Sequence, residues 1–154
     1  MCWICDDPRL TVRDYLEECA AMIARNGWMV QGVEGGRYPP WAYTVGLTGY
    51  DLPELVITGM LPERAAGILN QLARGVLDDG PPVPGGRVPL PDGTLAETVR
   101  LTEPSAHLRT AVGIYGGRIR ARQLVHPDDR GHWPWDPGYR AGRGGQPVLG
   151  MRGG

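Results

Sequence analysis

Glycine and proline supply a quarter of this chain and set the tightest limit on its fold. Together they account for 39 of the 154 residues, well above their ordinary usage. Glycine weakens helix and strand interiors, and proline cannot donate to a backbone hydrogen-bond ladder. Much of the chain must therefore form turns and extended loops. Apolar residues still make up 42% of the sequence, so we expect a folded core rather than disorder.

The length of the chain is ordinary for one domain with a real core. We expect a single domain over residues 1–154, with an N-terminal Cys-x-x-Cys segment at 1–10 and a Gly-, Pro- and Trp-rich loop at 127–154. Three cysteines fit a reducing compartment better than a secreted disulfide framework. Neither a membrane span nor a signal peptide is recognisable, so we expect a cytoplasmic protein without a membrane partner.

The charge of the chain is nearly balanced, with 16 basic and 17 acidic side chains. No basic excess is available to neutralise a phosphate backbone, so we expect no nucleic-acid partner. The sequence contains no Lys, which excludes Schiff-base catalysis and lysine general bases. It also lacks the Rossmann and Walker glycine motifs and the serine-hydrolase elbow, so no nucleotide cofactor is expected.

Hydrophobic periodicity predicts three helices. Thr11 can cap the first, which ends at Asn26, and the others are predicted at 62–79 and 104–115. The segment at 81–94 is too rich in Pro and Gly for a regular element and predicts a wide connection or an irregular edge hairpin.

Five short β-branched or aromatic runs predict strands at residues 28–33, 41–47, 55–58, 97–102 and 120–126. Neighbouring strands without intervening helices favour an α+β fold. We expect a single-layer antiparallel or mixed sheet of about five strands, with two or three helices packed mainly on one face and a long C-terminal loop.

Several segments taken in order resemble a bacterial family known as domain of unknown function 4262. They are CWICDDP, GWMVQGV, PPWAYTVGL, DLPELVITGM, RQLVHPDDRGHWPWD and GGQPVLG. They extend over almost the whole chain. The family pattern has His where this chain has Asp7, which removes one potential metal ligand beside Cys5. The resemblance implies no reaction, because the family has no assigned activity.

The N-terminal cysteines have a spacing that suits zinc. Cys2 and Cys5 can reach one Zn²⁺, and His126, His132 or Cys19 are the available further ligands. A strong zinc signature would contain a second clustered pair, and Cys19 lies on the apolar face of a predicted helix, where it is typical of a core residue. Zinc is therefore the cofactor that the sequence allows rather than one that it requires.

The loop after the last predicted strand concentrates groups that suit acid–base chemistry. The candidate catalytic residues are His126, Asp128, His132 and Asp136. The His126-Pro-Asp128 triplet also has the form of a non-haem iron motif, although the spacing is common by chance. The alternative is a polar loop in which Asp128 and Asp129 form Asx-turns before Gly131.

Aromatic and polar side chains elsewhere are candidates for ligand binding. They are Tyr43, Thr44, Glu54, Gln123, Trp133, Trp135 and Gln146. Trp133 and Trp135 either cover an exposed part of the sheet, which is the commoner outcome, or line a pocket. Tyr43 and Thr44 point to opposite sheet faces, so at most one serves the same site. For Glu54 an exposed strand-end carboxylate is expected ahead of a buried acid.

These patterns support three hypotheses of different classes. The first is a small-molecule-binding domain, with His and Asp acid–base or metal-assisted catalysis as its enzymatic form. The second is a protein-interaction or regulatory module whose Trp and Arg side chains dock a partner. The third is a zinc-stabilised structural domain. A homo-oligomer is compatible with each of them.

Overall fold

One mixed sheet organises the computed structural model, which describes residues 11–34 and 36–152. Within these residues the strands are β1 Met29–Val33, β2 Trp41–Val45, β3 Glu54–Thr58, β4 Arg87–Pro89, β5 Leu95–Leu101, β6 Ala121–Val125 and β7 Gly150–Met151. The order across the sheet is β1-β2-β3-β6-β5-β4, and β7 also pairs with β5. β3 and β6 are parallel, and the other pairs are antiparallel.

The structure contains four α-helices among the described residues, and the first two begin and end close to the predicted positions. The four helices are α1 Val12–Asn26, α2 Pro62–Asp79, α3 Pro104–His107 and α4 Arg109–Tyr115. The Thr11 hydroxyl accepts from the Asp14 N–H at 3.1 Å, and the Asp14 carboxylate accepts from the Thr11 N–H at 3.1 Å, which completes a capping box. None of the helices in the described part of the chain is long and apolar enough to cross a membrane.

Two hydrophobic clusters cover the two faces of the sheet. On one face Leu55 and Ile57 pack with α2, and on the other Val56 packs with residues of α4. Leu55, Val56 and Ile57 are all fully buried, which is why β3 is a continuous apolar run rather than an alternating one. The expected α+β class with a mixed sheet is confirmed, and the helices are shared between both faces.

Among three irregular segments, the structure agrees with the prediction at the first and differs from it at the other two. Part of the segment at 81–94 forms the short strand β4, in agreement with the edge-hairpin alternative. β7 was not predicted, and it joins β4 along the outer side of β5. The continuous helix at 104–115 is wrong, because Leu108 is fully buried with a non-helical backbone (φ −106°, ψ 63°) and separates α3 from α4.

Gly67 weakens α2 without any packing reason. It is exposed within the helix, and a Cβ added there would meet no atom within 4 Å. We expect Gly67→Ala to raise the free energy of unfolding, measured by urea denaturation, by about 0.5–1 kcal/mol, because alanine has the lower conformational entropy cost in a helix.

Gly113 in α4 is the matched control. A Cβ added there would lie 2.8 Å from Leu16 Cδ1, so Leu16 must move. Gly113→Ala should give no comparable gain, and an equal or larger gain at Gly113 would contradict this explanation.

Candidate functional site

A polar cavity of about 530 Å³ lies where β3 and β6 end. His126 directly follows β6, Met60 follows β3 by two residues, and Arg64 lies in the first turn of α2. The remaining lining residues are Leu90, Asp92, Thr94, Pro127, Asp128, Asp129 and Arg140. The carboxyl ends of parallel strands are a common place for ligands in open α/β sheets, and β3 and β6 are a parallel pair. We call this space the His126 cavity.

His126 is held firmly at the floor of this cavity. Its backbone N–H donates to Gln146 Oε1 at 3.0 Å, and its carbonyl accepts from Gln146 Nε2 at 2.8 Å. The ring Nε2 lies 3.3 Å from the Thr58 carbonyl oxygen. Burial of the ring, which is 8% exposed, lowers the pKa of His126 against the opposing effect of the Thr58 and Pro127 carbonyls. The imidazole is therefore neutral at neutral pH.

Arg140 enters the cavity from a strained backbone. Arg140 (φ 47°) and Ala141 (φ 56°) occupy the left-handed region, which costs non-glycine residues about 1 kcal/mol each. The Asp128 carboxylate fixes this conformation by accepting from the Arg140 N–H at 2.7 Å. The guanidinium donates to the Gly59 carbonyl at 3.0 Å. Among the described residues no carboxylate lies within ion-pair distance of it.

Asp128 serves the loop rather than a proton transfer. Its Oδ1 accepts from the backbone N–H groups of Arg130 at 2.9 Å and His132 at 2.8 Å, in addition to the Arg140 bond. Burial raises the pKa of the Asp128 carboxyl, but these three donors outweigh it and hold the pKa below its usual value. The Asx-turn expected at Asp128 is present.

Asp136 and His132 lie in the same loop but outside the cavity lining. Asp136 Oδ2 accepts from the Trp133 N–H at 2.8 Å and so closes the next turn. His132 Nδ1 lies 3.5 Å from Asp128 Oδ2, an ion-pair distance at which no hydrogen bond forms. The structure thus brings only His126 and Asp128 of the four candidate catalytic residues to the His126 cavity.

Trp133 and Trp135 fold onto the outer strands of the sheet. Their rings are parallel within 2° with centroids 5.4 Å apart. The Arg87 guanidinium lies 4.5 Å from the Trp133 ring, and that of Arg152 lies 3.8 Å from the Trp135 ring. Both arginines also pair with Glu97, at 3.6 and 2.9 Å. This arrangement of two indoles and two guanidiniums, the Arg–Trp stack, covers the sheet edge and does not line the His126 cavity.

Gln123 and Gln146 hold the C-terminal segment against the sheet. Gln123 Nε2 donates to the Pro147 carbonyl at 2.8 Å, and its Oε1 accepts from the Leu149 N–H at 2.8 Å. Gln146 binds the backbone of His126, as described above. Both side chains are buried with protein partners, so they shape the site without facing its open volume.

Tyr43 lies on the opposite face of the sheet from His126. Its hydroxyl accepts from the Thr110 N–H at 3.0 Å, and it packs in the cluster beside α4. Burial raises the pKa of Tyr43. Thr44 is also fully buried, and its hydroxyl donates to Glu54 at 2.8 Å. The two residues are therefore not assembled with the His126 loop.

Glu54 is buried, so the preferred expectation of an exposed carboxylate is wrong. Its two oxygens accept from the hydroxyls of Thr44 and Thr48 at 2.8 and 2.5 Å and from the N–H groups of Gly46, Leu47 and Thr48 at 3.2, 3.1 and 2.9 Å. Burial raises the pKa of Glu54, and the donors act against that rise. The short 3₁₀-helix Leu47–Tyr50 explains the burial, because its first N–H groups need an acceptor.

The metal hypotheses rest in part on residues outside the described part of the chain. Cys2 and Cys5 lie outside the described residues. Cys19 is fully buried in α1. Within residues 11–34 and 36–152, no three His, Cys, Asp or Glu side chains form a group that could hold a metal ion.

Three cavity residues were missed by the sequence analysis. Arg64 and Asp92 form an ion pair at 3.1 Å across the cavity wall, and Arg140 lies opposite in the C-terminal loop. The sequence pattern could have identified Arg64 as a candidate site residue, because it lies in the first turn of a helix that follows a strand. No sequence pattern identified the other two residues as site candidates. Asp92 lies in a Pro-Asp-Gly turn, and Arg140 lies in a glycine-rich loop.

Comparison with known proteins gives a family and nothing further. A family model described as "Domain of unknown function (DUF4262)" matches residues 22–140, more than three quarters of the chain. No curated protein and no solved structure matches the chain.

Glu54→Gln should destabilise the protein by on the order of 3 kcal/mol, because the new amide group would face hydrogen-bond donors at a fully buried position. Urea denaturation measures the change. Glu103→Gln is the control, since Glu103 is exposed and makes no capping hydrogen bond. A similar small loss in both variants would show that Glu54 does not anchor its turn.

The buried imidazole makes stability depend on pH. Since the pKa of His126 in the folded protein lies below its ordinary 6.5, the unfolded chain binds the proton more readily. The stability that comes from burying neutral His126 is fully present above pH 6.5. It is lost as the pH falls towards the folded-state pKa of His126. The free energy of unfolding should therefore decline less steeply below pH 6.5 in His126→Gln than in the wild type. Identical slopes in His126→Gln and the wild type would refute the assignment.

Proposed function

We propose that this chain, which belongs to the family described as domain of unknown function (DUF4262), is a small-molecule-binding domain. Its ligand is a small polar molecule that carries a carboxylate together with a hydroxyl or amino group. The His126 cavity is the binding site. Its volume of about 530 Å³ suits a molecule of that size.

The observation that carries this proposal is that the Arg140 guanidinium, which also lies 5.1 Å from the Tyr139 ring centroid, has no carboxylate partner among the described residues. It borders the cavity, and its only described polar partners are the carbonyls of Gly59 and Gly144. Carbonyl oxygens leave its charge unneutralised, and a planar guanidinium binds a carboxylate through two parallel hydrogen bonds. The backbone strain at Arg140 supports the same role, because such strain is typical of ligand-binding positions.

The rest of the lining favours a ligand with donors as well as an anionic group. Asp129 is exposed at the cavity wall and has no ion-pair partner among the described residues. It can accept a hydrogen bond from a hydroxyl or amino group. Asp92 is already paired with Arg64. Acceptor and donor groups therefore face the cavity together, as in sites for hydroxy acids and amino acids.

His126 gives the site its catalytic form. A neutral imidazole can accept a proton from a bound hydroxyl or amino group near neutral pH. Asp128 cannot share that role, because its oxygens accept from three backbone N–H groups. Acid–base chemistry at this site would thus rest on His126, with Arg140 as the residue that orients the substrate.

Binding can be tested with a panel of hydroxy acids and amino acids, read by thermal shift and then by titration calorimetry. We expect at least one member to raise the Tm of the wild type, and Arg140→Gln to weaken its Kd at least tenfold, about 1.4 kcal/mol. Arg130→Gln is the matched control, because it removes the same charge from the same loop outside the cavity lining. Equal binding by Arg140→Gln and wild type, or no binding across the panel, would overturn the proposal.

A further inference from the structure

Three arginines gather on the sheet at the end far from the His126 cavity. Arg100 in β5 and Arg122 in β6 are direct cross-strand partners, so their side chains leave the same face about 5 Å apart. Arg120 precedes Arg122 by two residues, and its charge acts on Arg122 together with that of Arg100. We call these three residues the Arg122 cluster.

This cluster contains a buried donor with no acceptor. Arg122 is half-buried, its Nε is inaccessible and has no hydrogen-bond partner, and its Nη1 reaches only the Ala121 carbonyl at 3.5 Å. Within residues 11–34 and 36–152, neither Arg122 nor Arg100 has a carboxylate within 4 Å. Arg120 pairs with Asp51 at 3.3 Å, but that carboxylate is fully exposed, so it offsets little of the charge.

The arrangement costs the protein stability as it stands. Like charges directly opposite each other on a sheet repel, and a buried donor without an acceptor loses its hydration. Burial, followed by the charges of Arg100 and Arg120, lowers the pKa of Arg122. Sequences that violate local rules in this way commonly do so at functional positions.

The cluster is distinct from the proposed carboxylate site. Arg122, Leu124 and His126 alternate onto one face of β6 and its continuation, and Leu124 between them is fully buried. Four residues of strand separate Arg122 from His126 by about 13 Å. Arg122 does not line the His126 cavity.

We propose that the Arg122 cluster is an anion-binding site for a phosphate group, either inorganic phosphate or the phosphate of a small ester. A tetrahedral oxyanion offers several acceptor oxygens, which can meet guanidinium groups from two strands at once. A dianion removes the repulsion between Arg100 and Arg122 and supplies acceptors for the terminal Nη groups of both guanidiniums. The overall charge of −1 gives no support to an extended polyanion such as nucleic acid.

The test measures Tm with inorganic phosphate, with pyrophosphate, and with chloride at matched ionic strength. Wild-type protein should be stabilised by phosphate and more by pyrophosphate, relative to chloride. Arg122→Met, which keeps the length of the side chain, should lose at least half of both shifts. In chloride alone Arg122→Met should be no less stable than the wild type, because it removes the repulsion. Arg74→Gln, at an exposed position of α2, should respond as the wild type does.

The two proposed sites can fail separately. Arg140→Gln should retain the phosphate response, and Arg122→Met should retain binding of the carboxylate identified by the panel. A phosphate shift no larger than that of chloride, or one unchanged in Arg122→Met, would overturn the inference. Titration with phenyl phosphate and with a single-stranded oligonucleotide separates the ligand sources. Tighter binding of the oligonucleotide than of phenyl phosphate would contradict the small-phosphate assignment.

Discussion

A single buried carboxylate fixes the turn from which the centre of the sheet is built. Glu54 opens β3, and its five donors come from the end of β2 and the 3₁₀-helix between the strands. Without it, the N–H groups of that turn would be buried without acceptors. Because β3 pairs with β2 on one side and β6 on the other, the position of Glu54 constrains the start of both central pairings.

The same principle, a polar side chain in place of regular backbone pairing, builds the opposite end of β3 and β6. Gln123 and Gln146 bond to backbone groups of the C-terminal segment and of His126. Asp128 and Asp136 close successive turns in the loop. A chain so rich in glycine and proline has few regular elements in this region, and side-chain amides and carboxylates supply the missing partners. The part of the cavity wall that the C-terminal loop supplies is thereby kept in place without helix or strand.

Local patterns predicted the regular elements because those elements depend on local chemistry. Apolar spacing and caps located α1 and α2, and the apolar run of β3 located the centre of the sheet. Local sequence patterns do not predict which side chains meet when they are far apart in the chain. Nothing in the sequence around Glu54 indicates that the donors of a turn converge on it. Arg87 and Arg152 are far from the tryptophans in sequence, so their stacking required the fold. Arg140 was missed because a left-handed arginine breaks the rule by which such turns are recognised.

The Arg–Trp stack gives this protein an intrinsic optical reporter. Two parallel indoles with centroids 5.4 Å apart are close enough for their electronic transitions to couple, and an in-plane rotation of one ring relative to the other makes that coupling visible as a paired, oppositely signed circular dichroism band. Trp28 and Trp41 belong to other parts of the molecule, where their indole N–H groups donate to Asn70 and to the His107 carbonyl. Loss of the coupled band alone would therefore signal release of the C-terminal loop while the sheet remains folded. The state of the loop beside the cavity can be followed in solution without a label.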